Sequence, residues 1–242
     1  MNRGRRLASI LVVASLGLGS LVGCQSETGK AAFVGDTTIT EDRVSEVYDD
    51  AVAKAPKPEP TPEASGSPAP AAEQSVTRQE VVDLLVSLEL ARRLIKEKNL
   101  PPAPEPIDPA AVADARKLPA DSEYVKLAAE WYELQSVILQ NSPRSQLTDE
   151  GITEVYDALV KIDVIQQGAP VDEVRKSIAQ IPSAVDGIVV ATALGAALET
   201  TDTKVNPKYS PVSAPVFLNT GQGLIFFDLP YLSSDMVTDV SL

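Results

Sequence analysis

Ala31-Ala32-Phe33-Val34-Gly35-Asp36-Thr37-Thr38-Ile39-Thr40 sets two short runs of strand formers around a two-residue turn. Phe33-Val34 and Thr37 to Ile39 favour extended backbone, and Gly35-Asp36 suits a tight hairpin. Thr40 then stands where a helix cap belongs, its hydroxyl able to accept an N–H that the first helical turn leaves without a partner. The helix predicted from Glu41 carries Val44, Val47, Tyr48 and Ala51 on one face. A two-stranded hairpin of this size is not stable alone, so it needs partners from elsewhere in the chain.

Outward from this start, the periodicity stops over 54–76. The stretch from Ala55 to Ser75 holds six prolines and almost no large apolar residue, too little to offset the entropy of ordering it. It reads as a disordered proline-rich loop inserted into the domain, a passive linker rather than a recognition motif. Thr77 and Glu80 then form a capping-box pattern ahead of the strongest helix, predicted to run to Asn99. Val81, Leu84, Leu85, Leu88, Ala91 and Ile95 share its main face, and Val82, Val86 and Leu90 widen the arc, which predicts a central position. Pro101-Pro102 ends it.

Asp108-Pro109 opens a short helix to about Lys117. Ser122 to Gln140 follows with a stripe that includes Tyr124, Leu127, Trp131 and Ile138, and Thr148 caps a helix with Ile152, Val155, Tyr156 and Leu159. Pro170 to Gln180 is shorter. Ser183 to Glu199 is rich in alanine, with Asp186 the one charge between its ends; it is too short for a membrane span and reads as a buried helix. Beyond Thr201 the pattern returns to strands, at Pro215 to Leu218 and Leu224 to Leu229 around turn material at Asn219 to Gly223. The expectation is a mainly α, multi-helix domain over 31–232, closed by a small β-sheet from its N- and C-terminal strands, with 233–242 as a C-terminal tail. Phe33 and Ile39 would find strand partners in Val216, Phe217, Ile225 or Phe227.

The N-terminus decides the compartment. Met1 to Arg6 carries three arginines and no acid, Leu7 to Val22 is a 16-residue apolar or small run, and Gly23-Cys24 follows. A basic head, a short apolar run and a small-residue exit make a secretion signal over 1–23, since a membrane span needs roughly 20 apolar residues. Residues 24–30 form a polar tether. Leu21-Val22-Gly23-Cys24 resembles the lipobox of bacterial lipoproteins. That resemblance implies cleavage between Gly23 and Cys24 and acylation of Cys24 with diacylglycerol and palmitate-type chains. The destination would be the extracytoplasmic face of the cell membrane, reached through the lipid anchor. Cys24 is the sole cysteine, so no internal disulfide can form.

Composition narrows the function. The chain has 21 basic and 34 acidic residues, and removal of 1–23 would leave 18 against 34, a net charge of −16. Such a surface opposes nucleic-acid binding and any polybasic membrane contact. There is no histidine, which removes the usual general base and the commonest metal ligand. No phosphate-binding glycine loop is present. Asp149-Glu150, Asp172-Glu173 and Glu41-Asp42 all fall in first helical turns, where the helix dipole accounts for them. The expectation is a protein without enzymatic activity, cofactor or metal.

Val34-Gly35-Asp36-x-x-Ile39-Thr40 ahead of a helix resembles the opening of SurA-type periplasmic chaperones. Val205-Asn206-Pro207-Lys208-Tyr209 resembles the Val-Asn-Pro-Arg-Tyr-Gly stretch near the end of that domain, and Thr148-Asp149-Glu150 its Leu-Thr-Asp-Glu segment. Ser210 and Lys208 depart from the family's glycine and arginine. The resemblance implies a SurA N-terminal-like helical domain without the parvulin prolyl isomerase, hence no isomerase activity. It further implies chaperone-like binding of unfolded or exported polypeptides. Phe33, Tyr48, Trp131 and Tyr132 are the candidate peptide-binding residues, and the protein is expected to be a monomer. The alternative is a non-catalytic scaffold lipoprotein with one dedicated protein partner.

Overall fold

The Thr40 hydroxyl accepts the Arg43 N–H at 3.1 Å and starts the first helix where the sequence places it. In the computed structural model, which describes residues 29–56, 76–103, 106–165, 170–219 and 224–241, helix α1 spans Glu41–Lys54. It follows the antiparallel hairpin β1 (Lys30–Val34) and β2 (Thr37–Thr40). Gly35 takes the turn with φ +60°, and a Cβ there would collide with the Arg93 guanidinium, which pairs with Asp36 and Glu89. A side chain at this turn would be strained twice, by its backbone and by Arg93.

The helices are α2 (Arg78–Glu97), α3 (Pro109–Arg116), α4 (Glu123–Gln140), α5 (Asp149–Lys161), α6 (Val171–Ile178) and α7 (Pro182–Thr200). The capping box at α2 forms in full: Thr77 Oγ1 accepts the Glu80 N–H at 3.1 Å and Glu80 Oε2 accepts the Thr77 N–H at 2.6 Å. Helix α2 is central, touching α1, α4, α7 and β1, with Val82, Leu84, Val86, Leu88 and Leu90 sealed from solvent. Helix α7 runs from Pro182 to Thr200, longer than the Ser183–Glu199 expected, and by length and composition alone it is not too short to cross a membrane, contrary to the reading from sequence. Here it lies against α2 and α4 and buries Ala184, Ile188, Val190, Ala191 and Leu194. Ser122 makes no side-chain cap for α4; Asp50 Oδ2 of α1 accepts the Glu123 N–H at 2.7 Å instead.

The fold is mainly α with small antiparallel sheets, but the strand pairing differs from the expectation. The partner of β1 is β4 (Thr203–Val205), with Phe33 opposite Lys204 and Val34 opposite Thr203. Ile39 pairs with Ala32. Strands β5 (Ser213–Asn219) and β6 (Leu224–Pro230) pair with each other in a separate hairpin. Therefore Val216, Phe217, Ile225 and Phe227 are not partners of Phe33 or Ile39. The physical reason is delivery: α7 ends at Thr200 and brings Thr203 directly beside Val34. The β5–β6 hairpin buries its own inner face, Ala214, Val216, Leu218, Phe227 and Leu229, against α7 and α2, and needs no help from β1.

Three boundaries shift as well. The expected tail over 233–242 contains β7 (Val237–Asp239), which pairs with β3 (Ser145–Leu147). The segment from Leu232 onward is a strap. Leu232 N–H donates to Ala191 O at 3.2 Å, Thr148 N–H to Met236 O at 3.2 Å, and Val240 N–H to Arg144 O at 2.7 Å. Two glycines let it approach, because a Cβ on Gly195 would strike the Leu232 carbonyl and one on Gly151 the Met236 carbonyl. Lys30, expected in the tether, already belongs to β1. Of the insert over 54–76, Lys54 closes α1 and Val76 is buried in the core. The segment expected to be a signal, with Gly23 and Cys24, and residues 57–75 lie outside the described residues.

Candidate peptide-binding groove

Strand β5 has one edge bonded to β6 and one turned away from it, and the second is largely covered by side chains. Asp83 Oδ1 on α2 accepts the Ser213 N–H at 3.0 Å, and Ser183 Oγ on α7 accepts the Asn219 N–H at 2.8 Å. Pro215, in the same phase, has no N–H; its carbonyl accepts from Trp131 Nε1–H at 2.7 Å and Gln135 Nε2–H at 2.8 Å, both on α4. Strand alternation puts Phe217 on this outer edge too. Among the described residues no protein group pairs with the outward N–H and C=O of Phe217.

Phe217 opens into a groove between the end of α4 and the start of α7. The groove is two adjoining hollows of about 350 and 450 Å³ that share Leu139, Pro182 and Asp186. Gln135, Gly187, Val216 and Phe217 wall the first hollow. Pro143, Arg144, Val185, Val189 and Val240 of the strap wall the second. Asp186 stands exposed where the hollows meet, and partial desolvation by these walls raises its carboxyl pKa above the ordinary value.

The ring of Tyr132 meets Phe217 edge-on at 5.4 Å between centroids and Phe226 at 6.3 Å. The Arg116 guanidinium lies 3.9 Å over the Phe226 ring and 3.6 Å from Glu80 Oε1. This cation–π contact and ion pair give a buried charge two partners. Two carboxyl groups sit within the same layer. Burial pushes Asp83 up to about 7, opposed by its hydrogen bond from the Ser213 N–H. Burial likewise pushes Asp228 to about 6, with Glu80 adding to the rise and Arg116 opposing it.

The four aromatic residues predicted from sequence do not form one site. Trp131 is fully buried, an anchor of the β5 edge closed to any ligand at the surface. Tyr132 is half-buried and touches the Phe217 ring edge-on without itself lining the groove. Phe33 on β1 is half-buried under the Lys30 ammonium, 4.7 Å from its ring. Tyr48 on α1 is half-buried beside the Arg78 guanidinium at 4.6 Å. Sequence reasoning missed Gln135, Leu139, Ser183 and Val185 as groove residues. The one charge between the ends of α7, Asp186, was the available signal.

The arrangement can hold a polypeptide by apolar contact and backbone pairing. Among the described residues there is no group of three or more side chains placed to hold a metal ion. A scan of family models and searches of curated proteins and of solved structures found no match to this chain.

Proposed function

We propose that this protein is an extracytoplasmic lipoprotein, anchored to the membrane through Cys24, that binds exported or unfolded polypeptides in the groove beside β5. The observation that carries the reading is Phe217, which lines the largely apolar first hollow and whose outer-edge N–H and C=O have no partner among the described residues. A polypeptide supplies both a backbone partner and apolar side chains, whose burial contributes roughly 25 cal/mol per Å². The SurA-type likeness supports the same reading, because its two end motifs are neighbours in space. Asn206 N–H donates to Ala31 O at 2.9 Å and its Nδ2 to Lys30 O at 3.2 Å.

The test is aggregation of a chemically unfolded client in the presence of the full chain in detergent. Slower aggregation is expected, with loss of protection in Val185→Glu, which places a charge in the groove wall. No protection by the unaltered chain at several-fold excess would reject client binding.

A scaffold with one dedicated partner is the second reading, favoured by the distribution of exposed apolar side chains. The large ones among the described residues are Val52, Ile162, Val164, Leu224 and Val240, carried on α1, the segment after α5, β6 and the end of the strap. A general holder of unfolded chains gains from a contiguous apolar surface. Protection of many unrelated clients would favour the first reading, and selective capture of one partner the second.

A further inference from the structure

We infer that the groove takes an extended segment, added to the outer edge of β5 at Phe217, with a lysine or arginine side chain of that segment set against Asp186. The inference rests on the polypeptide-binding reading above and specifies its ligand.

Three observations select this occupant. First, an extended chain turns backbone donors and acceptors sideways, whereas a helix satisfies its own; only the extended form can pair both groups of Phe217. Side chains already cover the neighbouring edge positions, with Trp131 and Gln135 on Pro215 and Ser183 on Asn219. The added strand therefore makes a single bridge of two backbone hydrogen bonds. Its specificity must come from side chains in the two hollows. Second, Asp186 stands at the junction of those hollows, and no cation among the described residues forms an ion pair with it; Arg144 on the wall of the second hollow is no exception. A cationic side chain passing between apolar walls would find its counter-charge there, strengthened by partial desolvation. Third, the chain as a whole carries a net charge of −13, which draws basic segments toward it and repels acidic ones.

The probe is a fluorescein-labelled peptide of about nine residues, alternating valine and threonine with a central lysine, long enough to lie as one strand across both hollows. Its anisotropy is titrated with the full chain in detergent. Saturable binding is expected, weakened about ten-fold when the lysine is replaced by glutamate, a difference of roughly 1.4 kcal/mol. Asp186→Asn should bring the two peptides to within about two-fold of one another, and N-methylation of the backbone should weaken binding about ten-fold at one position only. Equal affinity of the lysine and glutamate peptides, or tolerance of N-methylation at every position, would overturn the inference. If clients are still protected in that case, strand addition fails while polypeptide binding stands. If the full chain neither protects clients nor binds the peptide, both fall together.

Discussion

The Tyr209 hydroxyl donates to Glu41 Oε2 at 2.7 Å, tying the turn after β4 to the first turn of α1. Lys208 Nζ stands 3.5 Å from the same carboxylate oxygen, and the Tyr209 side chain is buried. Tyr209→Phe keeps the ring and removes the bond. Loss of a hydrogen bond to a charged group should lower stability by about 1.5–3 kcal/mol in urea unfolding. A double-mutant cycle with Glu41→Gln should show the two changes to be non-additive.

Stability should fall as pH rises from about 4 to about 7. Asp83 moves from an ordinary value of 3.8 to about 7 in the fold, and Asp228 to about 6. The folded state thus holds these protons more tightly than the unfolded chain, so their favourable contribution is complete below the unfolded pKa and lost as pH rises through the folded values. Asp83→Asn keeps an acceptor for the Ser213 N–H and removes the charge. It should raise stability at pH 8 by about 2–4 kcal/mol and flatten the pH dependence of the urea midpoint. An unchanged pH profile in that variant would show that Asp83 ionises normally in the fold.

Gly195→Ala should release the strap. The added Cβ meets the Leu232 carbonyl, which is backbone and cannot swing aside, so helix and strap must separate. A loss of about 2–4 kcal/mol is expected, in line with overpacking of a tight contact. Hydrogen exchange should quicken at Leu232 and Val240, whose N–H groups bond to Ala191 and Arg144, while α2 stays protected.

Trp131→Phe removes one of two donors from the Pro215 carbonyl and leaves Gln135 as the other. A cost of about 2–3 kcal/mol in denaturant unfolding is expected, combining the lost bond with the cavity left by the smaller ring. A variant as stable as the parent would mean that Gln135 alone satisfies the edge.

Cys24→Ser tests the anchor. The unaltered protein should sediment with membranes and carry the extra mass of acyl chains on its N-terminal cysteine, whereas the variant should do neither. Membrane retention of the variant would place the attachment elsewhere.

Helices and caps were legible because each rests on local chemistry. Thr40, Thr77, Asp108 and Thr148 all cap as their side chains suggest, and the apolar arc of α2 announced its central place. The strand pairing was not legible, since Thr203 to Val205 and Val216 to Leu218 are equally plausible neighbours for Phe33 by composition. The choice between them depends on where α7 ends in space. The strap was missed for a similar reason: 233–242 lacks the apolar content of an element, and its binding relies on backbone groups meeting two glycines. The groove could not be read at all from aromatic content. Trp131, the most conspicuous ring, turns its N–H to Pro215 inside the protein, and which edge positions of β5 find partners depends on where α2, α4 and α7 lie in space.

Helix α7 begins at the groove, with Pro182 and Asp186, and ends beside β4, whose partner β1 directly follows the tether. At about 1.5 Å per residue its length holds the two ends roughly 28 Å apart. If Cys24 carries a lipid, the anchor joins the chain ahead of β1, at the end of α7 opposite the groove. A polypeptide seated in the groove would then lie about one helix length from the strand that the anchor precedes.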